Sequence, residues 1–206
     1  MSNGKKIKLI NKLTMRTILS IFIIIFVFQS WSEAETIKDF EIEGISVGDS
    51  VLDYFSQHQI KKNFYSGSKK FVYSDHKSSK FKIYDDVQFN FKNNDRKFII
   101  HELNGGIYFP NNVEACYKKR DEVLIDLGNL FPNAEKDFGD ELIEHRMDKT
   151  GKSFYTYHAF NLIDGSIGVQ CTDWGKNMEK DGMIDAMYIF IETKEFGEFL
   201  INEAYK

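Results

Sequence analysis

The stretch "SFYTYHAFNLIDGSIGVQCTDW", residues 153–174, constrains the fold more than any other. Asp164-Gly165 is the dipeptide best suited to a two-residue hairpin turn, and apolar residues alternate on both sides of it. A type I′ turn there pairs Ile163 with Ser166. The register then runs Leu162 with Ile167, Phe160 with Val169, His158 with Cys171 and Thr156 with Asp173. Directly opposed residues share a face, so Phe160, Leu162, Ile167 and Val169 make one face a core. Cys171 points into it beside His158. Tyr157, Ala159, Asn161 and Ile163, opposite Thr172, Gln170, Gly168 and Ser166, make a second face of mixed character. It is either an ordinary solvated sheet surface or a surface for a partner.

The segment "PNNVEACYKKRDEVLIDLGNLFP", residues 110–132, is the clearest helix. Asn111 or Asn112 caps it, Glu114 complements its positive end, and Pro132 stops it. Val113, Cys116, Tyr117, Val123, Leu124, Leu127 and Phe131 recur at helical spacing and form its buried stripe. Cys116 therefore faces the core that Cys171 faces. The chain has two cysteines, and a disulfide between them is expected if the protein is exported. The bridge would close a loop of about 55 residues and contribute roughly 4 kcal/mol in the chain-entropy account.

Export is what the first residues predict. Lys5, Lys6, Lys8, Lys12 and Arg16 precede the run "TILSIFIIIFVF", which spans 12 residues from Thr17 to Phe28, and "QSWSEA" ends in small residues. A basic flank, a short apolar core and a small-x-small site make a secretory signal peptide, residues 1–34, cleaved after Ala34. The alternative is an uncleaved anchor. The run is short for a membrane span, which needs about 20 residues. "MRTILSIFIIIFVFQSWSEA" is a complete signal in itself, so Met15 is an alternative start. Residues 35–206 are then a single exported domain, periplasmic or secreted, with no membrane span. Of 27 basic and 31 acidic residues, the signal holds five and one, leaving 22 against 30, a net charge of −8. An acidic chain with scattered lysines is not a nucleic-acid binder.

The rest of the pattern predicts an α+β fold. "FEIEGIS" (40–46) reads as a short strand or an extended lead-in. A helix capped by Asp49 or Ser50 runs to about Gln59, and a polar loop follows. Strands are expected over 70–74, 81–91 and 97–109, the last bulged or bent at Gly105-Gly106. The polar segment 133–152 reads as an exposed connection and a candidate contact region. A last strand covers 183–193, and Thr193 caps a final helix with Phe196, Phe199 and Leu200 facing inward. Helix and three strands thus occur twice: two αβββ halves, about 40–110 and 111–206, with a C-terminal helix.

Motifs for chemistry are sparse. "DFG" at 137–139 stands without the other kinase elements. "ELIEH" has Glu141 where a metal-binding histidine would be needed, and Asp137, Asp140, Glu141 and Glu144 lack calcium-loop spacing. His58, His76, His101, His145 and His158 are scattered and suggest no zinc site. No catalytic, cofactor-binding or metal-binding residues are expected, and no cofactor. A thiolate at Cys171 with His158 as its base would need an accessible, activated thiol, which a core-facing cysteine with a disulfide partner is not.

"FEIEGISVGDSVLDYFS" resembles the opening of an uncharacterised family of small exported proteins from AT-rich bacteria. "NNVEACYKKRDEVLIDLGNLF" and "SIGVQC" resemble that family's cysteine-bearing helix and strand. The resemblance implies a location, not an activity. "GISVGDSVLDYF" is more distantly similar to the opening of outer-membrane assembly lipoproteins of the BamE/SmpA type, without their lipid-bearing cysteine or the Gly-Pro after the first helix. The tandem plan is similar to β-lactamase-inhibitor-like proteins. The expected role is a non-catalytic envelope protein that binds a protein or a small ligand. The alternative is a periplasmic hydrolase or thiol enzyme with dispersed active-site residues.

Overall fold

The computed structural model of the chain describes residues 36–65 and 68–204. The signal peptide, its cleavage after Ala34 and the start at Met15 lie outside the described residues.

The fold is α+β and dominated by one antiparallel sheet. The chain opens with a small hairpin, β1 (Glu41–Ile42) and β2 (Ile45–Ser46), turning through Glu43 and Gly44. A 3-10 turn (Val51–Asp53) leads to α1 (Gln57–Lys62), then β3 (Phe64–Tyr65), β4 (Phe71–His76), β5 (Asp86–Lys92) and β6 (Ile100–Tyr108). The long helix α2 (Val113–Leu130) follows, then β7 (Glu135–Glu144), β8 (Phe154–Asn161), β9 (Gly165–Asp173), the short α3 (Lys176–Lys180) and β10 (Ala186–Thr193). Helix α4 (Lys194–Phe199) and a π-helical turn (Leu200–Ala204) end the described chain. The eight main strands lie in the order β3-β4-β5-β6-β10-β9-β8-β7. Each half is thus a helix followed by a four-stranded meander, and the halves join where β6 pairs with β10. That is one strand per half more than the pattern predicts.

The local sequence explains the helix ends. Asn112 caps α2 by accepting from Ala115 N–H. Thr193 caps α4 by accepting from Phe196 N–H, as expected. The expected first helix is broken in two. Ser50 caps the 3-10 turn, and Ser56 starts α1 afresh through a capping box with Gln59.

The Asp164-Gly165 hairpin forms with a different register. Leu162 N–H donates to Gly165 C=O at 2.8 Å, so Ile163 and Asp164 are the central turn residues. Neither has the positive φ a type I′ turn requires. His158 lies opposite Val169, and Thr156 opposite Cys171. The cause lies outside the hairpin. Asp164 Oδ1 accepts from Ile37 N–H at 3.0 Å, and its carbonyl accepts from Lys194 N–H at 3.0 Å. A slip of two residues keeps side-chain parity, so each residue stays on its expected face.

One face of the sheet is the core. Val87, Phe89, Leu103, Ile191, Ile167, Val169 and Phe160 are buried there. Helix α2 packs on β9 and β10, and the segment from Ile37 to Val51 packs beside it. Phe131 joins the layers, 5.1 Å from Phe40 and 6.1 Å from Phe160 between ring centroids. His76 also belongs to this face. It hydrogen-bonds Ser74 and packs 4.1 Å from the Phe55 ring, and burial pushes its pKa down to about 4.

Candidate functional site

Cys116 and Cys171 form the disulfide, with Cα atoms 6.1 Å apart, and both are fully buried. His158 is buried on the same face, 5.3 Å from the Phe138 ring. Neither sulfur is a thiol, so the constellation is structural.

The segment 133–152 is a partial correction to the expected connection. Residues 135–144 form β7, an edge strand, with a register irregularity between Gly139 and Ile143. Its charged residues do not converge: among the described residues, no group of three or more His, Cys, Asp or Glu is placed to hold a metal ion. His145 packs 4.2 Å from the Trp174 ring. An open hollow of about 360 Å³ lies nearby, lined by Lys152, Asp173, Trp174, Lys176, Glu179 and Asp185 among others.

The polar chemistry of the described chain gathers on the second face of the sheet. Across the strands, one row reads Tyr157, Gln170, Tyr188, Gly106, Asp86. The next reads Ala159, Gly168, Phe190, Asn104, Gln88, Asp75. A third reads Asn161, Ser166, Glu192, Glu102, Asn90, Tyr73. Helix α4 covers one end of this face, where Phe71 packs with Phe196 and Phe199. Leu200 packs against that cluster, as its helical spacing implies.

Two glycines shape the face. The expected bulge at Gly105-Gly106 is absent, because β6 pairs regularly through both residues with β5 and β10. The glycines instead allow close approach on opposite sides. A Cβ on Gly105 would meet the Tyr84 ring at 2.6 Å, and one on Gly106 would meet Asp86 Oδ1 at 1.9 Å. The irregularity falls at Asn90/Phe91. Gly168 likewise leaves room for Phe190, whose ring stacks on Tyr157 at 5.1 Å and 13°.

Two pairs of carboxyls stand on this face. Asp75 and Asp86 lie diagonally across β4 and β5, within hydrogen-bonding reach of each other. Tyr108 OH donates to Asp86 Oδ2 at 2.9 Å and Tyr188 OH at 3.4 Å. Burial, then the charge of Asp86, raises the Asp75 carboxyl to about 6. Burial raises Asp86 as well. Glu102 and Glu192 are directly opposed on β6 and β10. Ser166 Oγ donates to Glu192 at 2.6 Å, and Asn90 donates to Glu102. Burial, then the Glu192 charge, pushes Glu102 up to about 8, and burial raises Glu192. Like charges set directly opposite destabilise a sheet.

The sign of the resulting pH dependence is fixed. Folded Glu102 holds its proton more tightly than the unfolded chain does. Its stabilising effect is complete below pH 4.5 and is lost as pH rises towards about 8. Glu102→Gln is therefore neutral at pH 4 and stabilising at pH 8, by about 1–2 kcal/mol after allowance for its partial exposure. Urea unfolding at the two pH values measures this. An equal gain at both would remove the titration as the cause.

The alternation put Tyr157, Ala159, Asn161 and Ile163, with Ser166, Gly168, Gln170 and Thr172, on the second face, and all lie on it except Ile163, which sits in the turn. It missed both carboxyl pairs. A signal was present, since the alternation of Val87, Phe89 and Phe91 puts Asp86 on the opposite face with Gln88 and Asn90. No protein-family model, curated protein or solved structure matches the chain.

Proposed function

We propose that this is an exported, non-catalytic envelope protein that binds another protein or a small ligand through the second face of its sheet. One observation carries the reading. The face sets tyrosines and amides around two carboxyl pairs, one directly opposed and one diagonal, an arrangement that costs stability and gains nothing for the core on the other side. Tyrosine-rich polar surfaces suit recognition, because each ring offers a rigid apolar body with a hydrogen-bonding tip.

The basic flank, apolar run and small-residue site at 1–34 support export to the periplasm or beyond. The Cys116–Cys171 disulfide is compatible with that oxidising destination. The tandem helix-plus-meander halves support a likeness to BamE/SmpA-type and β-lactamase-inhibitor-like architectures. Among the described residues, no helix is long and apolar enough to cross a membrane. The alternative, a hydrolase, would draw on the Asp75–Asp86 pair as acid and base.

A photo-crosslinking residue at Gln170 tests the reading against one at Ile125, which is 65% exposed on α2. In intact cells, a discrete adduct is expected from Gln170 and none from Ile125. Adducts from both, or from Ile125 alone, would move the binding surface elsewhere.

A further inference from the structure

The inference here deepens the reading of the second face as the binding face. Asp86 is 1% exposed, yet its Oδ1 is buried without a hydrogen-bond donor, and so is Oδ1 of Asp75. Ionised carboxylates only accept hydrogen bonds, so two such oxygens close together need a donor between them. Below the Asp75 value of about 6, one proton shared by the pair would supply it in the free protein, as an O–H···O bond that leaves the pair with a charge of minus one.

We propose that the Asp75–Asp86 pair is a site for one ammonium or guanidinium group, which enters as the shared proton leaves. The exchange is one for one. The O–H···O hydrogen bond breaks, the proton passes to solvent, and N–H groups of the cation donate to the two freed oxygens. Pair plus guest keeps a charge of minus one, so no net charge is added to the interior. The surroundings suit such a guest. Tyr108 and Tyr188 hold the far oxygen of Asp86 through their hydroxyls. Lys77 already places its ammonium 4.8 Å from the centre of the Tyr108 ring. Lys77 is thus an internal competitor that must swing aside. Asp85 accepts from Tyr108 N–H at 2.8 Å and adds negative potential. Asp75, Asp86, Lys77, Asp85, Tyr108 and Tyr188 are the titratable groups that face the pair. The raised acidity constant of Asp75, about 6, puts proton release in a range where a cation can compete.

The test is calorimetric titration of the full exported chain with methylguanidine and with the tripeptide Gly-Arg-Gly at about pH 5, below the Asp75 value of about 6, in two buffers of different ionisation enthalpy. Binding with release of about one proton is expected. Asp86→Asn should weaken it about tenfold or more, because the amide donates to Asp75 and fills the gap. Asp75→Asn serves the same purpose and guards against a folding defect in the first variant. Lys77→Met should tighten binding. Equal affinity for both probes assigns the site to free small cations, and tighter binding of the tripeptide assigns it to a protein side chain. Absence of binding, binding without proton release, or full binding by both asparagine variants overturns the proposal. If the Gln170 adduct still forms in that case, the binding face stands and only the cation site falls.

Discussion

Replacing Cys116 and Cys171 together with alanine should lower the unfolding free energy by about 4 kcal/mol. The bridge closes a loop with a sequence separation of 55 and fastens α2 to the C-terminal part of β9. Without it the unfolded chain regains the loop entropy, and two fully buried sulfurs are lost from the layer between helix and sheet. Alanine is the right replacement, since serine would add a buried hydroxyl. Urea unfolding of the variant, beside wild type with and without reductant, checks the result. The variant and the reduced wild type should share a lowered midpoint. An unchanged midpoint in the variant would mean that packing alone holds α2 in place.

Gly168→Ala should cost about 3 kcal/mol, at the upper end for one added methyl group. Its Cβ would meet His158 O at 2.1 Å and the Phe190 ring at 2.5 Å. The first obstacle is backbone, so no side-chain rotation relieves it, and β8 and β9 would have to part. The ring stack of Tyr157 on Phe190 should loosen with them. Thermal unfolding gives the cost, and near-ultraviolet circular dichroism follows the aromatic pair. Gly44→Ala is a useful contrast, because there the strain comes from a φ of +77° with nothing within 4 Å of the added atom. A harmless Gly168→Ala would show that the strands have slack that the register does not suggest.

Much of this architecture was legible in the sequence because period-2 and period-3.6 patterns survive local errors. The α2 stripe and the alternation in β5, β8 and β9 put the cysteines, His158 and the core phenylalanines on the right faces. What failed depended on distant partners. The hairpin register was decided by a hydrogen bond between Asp164 and Ile37, 127 residues apart. Strand β7 was unreadable because an edge strand pairs on one side only and need not alternate cleanly. The glycine pair looked like a bulge, but the reason for it lies in the Tyr84 ring and the Asp86 carboxyl, which approach from opposite faces. The carboxyl pairs escaped for a related cause. Opposition across strands exists only once the strand order is known, and β6 meets β10 across almost the whole second half of the chain.

That strand order also sets a timetable. A chain is made from its N-terminus, and the first meander can assemble as soon as β6 is out. Its inner edge then stays open through α2, β7, β8 and β9, because its neighbour is the last strand of all. Glu102 and the core-facing Leu103 stand on that open edge throughout the interval. The second meander waits on the same strand, so β10 completes both halves in one step. Until then the nascent chain offers an unpaired template to other nascent chains. The vulnerable period is therefore synthesis and early folding rather than the native state. The speed with which the final residues follow the first would govern how much chain reaches the folded form.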